Sequence, residues 1–190
     1  MSNQSESSSS LPTSVKQVAN TLRFGGWVCF WMQLVLGVIS AIIFLFAVVA
    51  LPGEKTGAGS GGGLFFAFCG LVVLAFSIYL AFSYTRLAKK LRSPTPSLRP
   101  SRADTTQQVK KTLIANLIGM SLTLFGAEAI GGILLGKSLV SQQVFMNPTA
   151  NLRDFIQPLD IFIVLGNTHM IVAHFVGILV GLFLLDRVYK

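Results

Sequence analysis

Between residues 26 and 51 the chain carries no charged side chain, a run longer than a water-soluble fold requires. At 1.5 Å per residue, such a run crosses a hydrocarbon core of about 30 Å with some tilt. It is also too long for the apolar core of a signal peptide, typically about 7–15 residues. Pro52 and Gly53 stop it. Three further apolar runs follow, at about 64–85, 112–136 and 161–185. Composition agrees: 52% of residues are hydrophobic and only 12% charged, where soluble domains carry about 25% charged residues. The expected fold is all-α, a polytopic membrane protein with four transmembrane helices forming one domain over residues 13–190.

The segments between the runs set the expected organisation. Residues 1–12 are Ser-rich and short of apolar side chains, too few to offset the entropy of ordering, so a disordered tail is expected. Thr13 or Ser14 is placed to cap a short helix. Val15, Val18, Ala19 and Leu22 follow at helical spacing, which predicts a short amphipathic helix on the membrane surface ahead of the first span. Trp27, Trp31 and Gln33, near the start of the first run, suit the membrane interface. Residues 93–111 hold Pro94, Pro96 and Pro100 among basic residues and read as an extended connector, with Asp104 capping the third helix. The stretch from 137 to 160 is amphiphilic and interrupted by Pro148 and Pro158, and reads as a surface segment.

Net charge is +8. In a soluble protein this would suggest nucleic acid. Here the cations flank apolar runs, so topology and anionic headgroups account for them, and the lipid bilayer is the expected partner. Of the 15 Lys and Arg residues, only Lys55, Lys137 and Arg153 lie on the side opposite the termini. Positive-inside bias then puts both termini and the central connector in the cytoplasm or stroma.

Glu128 is the one acidic residue inside an apolar run. An intramembrane ionisable group is costly, about 2.5–3.5 kcal/mol on insertion scales, and is expected to face the bundle or a cavity. Ser121, Gly131 and Gly132 share its side of the helix. On the fourth run, steps of seven return to nearly the same face, so Asp160, Asn167, His174 and Gly181 form one stripe, with Met170 beside it. An amide, a thioether and an imidazole could line a path for a divalent cation. His169 and His174, five apart, cannot both hold one ion on an unbroken helix. A contact between Glu128 and a histidine is possible between antiparallel helices, as a proton relay, a metal site or a structural hydrogen bond. Gly132-x-x-x-Gly136 and Ala173-x-x-x-Gly177-x-x-x-Gly181 are tight-packing faces, within the chain or toward a second protomer. Cys29 and Cys69 lie in apolar runs without metal or redox spacing and read as small fillers. No P-loop, nucleotide-binding glycine fingerprint or water-exposed Ser/His/Asp set occurs, so no enzyme or bound cofactor is expected.

Several segments taken together resemble a known family. These are FWMQLVLGVISAI at 30–42, SYTRLAKKLR at 83–92, SRAD at 101–104, NLIGMSLTLFGAEAIGGILLGKSL at 116–139, PLDIFIV at 158–164 and AHF at 173–175. In order and spacing they are similar to the permease-in-chloroplasts family, four-span proteins of the plastid inner envelope with cyanobacterial relatives. The resemblance implies either transport of iron, as cargo, or a place in the inner-envelope protein-import translocon. Gln33, Asp160 and His174 fit its pattern, Glu128 fits less well, and His169 departs from it. The lack of a transit peptide points to the cyanobacterial form, in the plasma or thylakoid membrane. The metal or transport-path candidates are therefore His174, Glu128, Asn167, Met170 and His169. The expected assembly is a homo-oligomer or a larger membrane complex, and the alternative to an iron permease is a non-transporting assembly or translocon subunit.

Overall fold

The computed structural model describes residues 12–50, 61–144 and 155–189. Residues 1–11 of the expected disordered tail, and 145–154 of the expected surface segment 137–160, lie outside them. Among the described residues there are four long helices and no strand: α1 (Thr13–Ala50), α2 (Gly62–Leu91), α3 (Arg102–Val144) and α4 (Pro158–Tyr189). Each is long and apolar enough to cross a membrane. Their outer surfaces are apolar: Leu45, Phe46, Val49, Phe65, Val72 and Ile161 are all exposed. A soluble protein leaves no apolar surface so extensive, whereas lipid solvates it. This is a multi-pass membrane protein.

The helices run alternately up and down. Each packs on its chain neighbours, and α1 closes the ring against α4; α2 and α4 also touch across the diagonal. One apolar cluster gathers the start of α1, the end of α2, the start of α3 and the end of α4, through Leu22, Tyr84, Val109 and Leu184. This is the cationic end. A second cluster, around Phe44, Ala67, Ile130 and Ile163, fills the far half. Small residues permit the close approach. A Cβ on Gly26 would lie 2.9 Å from the Tyr84 Cβ, and one on Gly63 would lie 2.8 Å from Ile130.

Three boundaries differ from the sequence expectation. The amphipathic stretch from Val15 to Leu22 is continuous with α1, and its apolar side is packed into the cationic-end cluster instead of lying on the membrane surface. Half of the expected extended connector is helix: α3 starts at Arg102. Its cap is Ser101. The Ser101 Oγ accepts the Asp104 amide at 3.1 Å, and Asp104 Oδ2 accepts the Ser101 amide at 3.1 Å. Asp104 is thus the third-residue partner of a capping box. Third, α3 continues past residue 136 to Val144, which carries Lys137 into the helix. The short connector between α2 and α3 is held by Arg99, which donates to the Ser93 carbonyl at 2.9 Å.

Candidate functional site

The axis of an apolar bundle is lined here with polar side chains. Gln33 (α1), Ser77 (α2), Asn116 (α3) and His174 (α4) come from all four helices, and each is fully buried. Gln33 Nε2 donates to Asn116 Oδ1 at 2.7 Å and lies 3.2 Å from both Ser77 Oγ and the Ala173 carbonyl. Ser77 Oγ is 3.3 Å from Gln33 Oε1. Asn116 Nδ2 donates to the Thr112 carbonyl, one turn back on its own helix, at 2.9 Å. His174 Nδ1 meets Asn116 Oδ1 at 3.2 Å, and Nε2 faces the Gly70 carbonyl at 3.4 Å. Both neighbours are acceptors, and a neutral imidazole carries one N–H, so His174 donates to one of them at a time. In hydrocarbon no water can replace these bonds, so the network ties four helices at one level.

Glycines make room for it. A Cβ on Gly119 would collide with the His174 ring, and one on Gly177 would collide with the Asn116 amide. The Ala173, Gly177 and Gly181 face therefore serves packing within the chain, the last of them against Leu113 of α3.

Toward the far end the polar line continues. Asn167 Nδ2 donates to the Thr123 carbonyl at 2.9 Å, while its Oδ1 is buried with no hydrogen-bond partner. Ser40 Oγ donates to the Leu36 carbonyl of its own helix and lies equally close, 2.8 Å, to the Gly166 carbonyl of α4. The line ends in an ion pair, Lys137 Nζ to Asp160 Oδ2 at 2.7 Å, with both side chains buried. Asp160 Oδ2 also accepts the Gln157 amide at 2.9 Å at the start of α4.

The stripe of Asp160, Asn167, His174 and Gly181 thus does face inward, all four being buried. Met170 is buried too, but among Phe44, Ile163 and Ala173 in the apolar cluster, where its thioether is a filler. His169 is half-buried, with Nδ1 lacking a partner. Cys29 is buried, Cys69 half-buried, and both are free thiols. Gln33 is not an interfacial residue: with α1 starting at Thr13, it falls at mid-helix, while Trp27 and Trp31 stack on each other and face outward.

Glu128 contradicts the expectation that it faces the bundle. It is exposed on the outer surface of α3, as are Ser121, Gly131, Gly132 and Gly136. A Cβ added at any of the three glycines would meet nothing within 4 Å. The reason is size: Gly119, Gly126 and Thr123 supply the close inner face of α3, which turns the Glu128 side away. Glu128 and His174 do not share a site. Among the described residues, no three His, Cys, Asp or Glu side chains converge in a way that could hold a metal ion. Sequence reasoning missed Ser77, Asn116 and Lys137. An amide inside an apolar run was the available signal for Asn116.

Known proteins frame this geometry. The family model described as "Protein of unknown function (DUF3611)" matches residues 12–189. The chain belongs to this family. The DUF3611 match covers all four helices and the whole polar axis, in keeping with the family resemblance carried by the segment order. Protein TIC 21, chloroplastic, of Arabidopsis thaliana is 32% identical over 167 residues, 86% of this DUF3611 chain and 55% of the relative. The chain spans about half the length of that relative. No solved structure matches this chain.

Proposed function

We propose that this protein is a structural subunit of a larger membrane assembly, of the kind to which a chloroplast protein such as TIC 21 would belong, and that it acts through the outer face of α3. The observation that carries this reading is the position of Glu128. Along α3 it stands about 25 Å from Lys111 and about 13 Å from Lys137, well inside the hydrocarbon, exposed on a side turned away from the other described helices. Gly131, Gly132 and Gly136 beside it leave open the space into which another transmembrane helix fits. The hydrogen-bonded axis supports the same reading, because Gln33, Ser77, Asn116 and His174 are tied to one another at one level of the bundle. We infer that both termini face the cytoplasm or stroma, from the cation bias.

Co-purification tests it. Gently solubilised wild-type protein is expected in a complex larger than its 20.5 kDa chain. Glu128→Gln should keep that complex, since an amide still bonds across helices, and Gly132→Leu should disperse it. A wild-type protein found only as a single chain would overturn the reading.

A second reading, permeation of iron or another divalent cation, is favoured by the same carboxyl: two or more copies would place Glu128 side chains around a shared path between protomers. Uptake of iron into liposomes distinguishes the two. Flux above empty liposomes that is lost in Glu128→Gln supports permeation; flux equal to empty liposomes removes it.

A further inference from the structure

On the lipid-facing side, α2 and α3 part to leave an open groove of about 350 Å³. Val73, Phe76 and Leu80 of α2 form one wall, Ile114 and Ile118 of α3 the other, and Lys111 stands at the cationic end. From Ile118 to Lys111 the groove runs about 10 Å along α3. Its walls are almost wholly apolar, and Lys111 is exposed at its mouth. Between Lys111 and Glu128 the helix carries no other charge, so Lys111 marks the depth where hydrocarbon gives way to headgroups.

We infer that this groove is a site for an anionic glycerophospholipid of the leaflet on the cationic side, with one acyl chain between α2 and α3 and the phosphate on Lys111. Two features select that occupant. The concave apolar trough fits a hydrocarbon chain better than a polar ligand, and the single cation at its end complements a headgroup that carries net negative charge. Basic residues at the mouths of grooves between transmembrane helices bind such headgroups in this way, each Lys or Arg near the surface adding attraction that zwitterionic lipid lacks. Arg86, Lys89 and Lys90 crowd the same end of α2, which raises the local concentration of anionic lipid before it docks. The site is independent of the assembly reading, because it lies within one protomer.

The experiment is native mass spectrometry of the full chain in detergent, offered equal amounts of phosphatidylglycerol and phosphatidylcholine. The expected result is retention of phosphatidylglycerol over phosphatidylcholine. Lys111→Gln should lower bound phosphatidylglycerol about five-fold, and Lys89→Gln, outside the groove, by less than about two-fold. Lys111→Arg should preserve binding, and Val73→Trp, which fills a wall without touching the charge, should lower retention of both lipids. Equal effects of Lys111→Gln and Lys89→Gln would mean diffuse surface attraction and would overturn the site. So would unchanged retention in Val73→Trp.

Discussion

Asn116 and Glu128 stand on the same helix, about three turns apart, in opposite surroundings. Asn116 is fully buried, bonded to Gln33 and approached by the His174 ring. Glu128 is exposed on the far side of α3 among glycines that touch nothing. A polar residue in a transmembrane run always needs a partner, but its type does not say on which side that partner lies. The glycines say it. Gly119 and Gly177 are jammed against the partner's polar groups, whereas Gly131, Gly132 and Gly136 are open.

Substitutions can break this contrast or sharpen it, and the inner side gives the largest effects. Lys137→Met removes the cation paired with the buried Asp160 carboxylate and is expected to cost about 3–5 kcal/mol; the double change Lys137→Met with Asp160→Leu should recover part of it. Unfolding in detergent measures both, and a double variant no better than the single one would show that the pair is not the cause. Gly119→Ala comes next. A helical Gly→Ala change normally stabilises, but here the methyl collides with His174, so a net loss of about 1–3 kcal/mol is expected.

The same exchange on the outer side should reverse sign. Gly132→Ala in the isolated protomer is expected to gain up to about 1 kcal/mol, because only helix propensity acts there. Glu128→Gln is expected to shift protomer stability by less than about 0.5 kcal/mol. A large destabilisation by Glu128→Gln in the single chain would place Glu128 in an intramolecular contact and remove the contrast.

How much of this was visible in the sequence follows from the same physics. Span number and the inward stripe of Asp160, Asn167, His174 and Gly181 were legible, because length in lipid and helical period are fixed by geometry. Helix ends were legible only in part: Asp104 marked the start of α3, which it caps with Ser101, whereas the continuation past residue 136 to Val144 went unread. The pairing of Lys137 with Asp160 was hidden by ending the third run at its last apolar residue. Ser40 and Thr123 bond to carbonyls of their own helices and so leave little trace in a search for charged or metal-binding groups. The side of Glu128 depended on which glycines were filled, and that requires the neighbouring helices.

The protomer sets a hydrogen-bonded inner axis against a docking face on the outside of α3. The most direct measurement compares the particle mass of wild-type and Gly132→Leu protein solubilised gently from native membranes. The wild type is expected to be larger than a single chain, and the variant, folded, to fall to the mass of one. A folded Gly132→Leu protein that keeps the wild-type mass would contradict it.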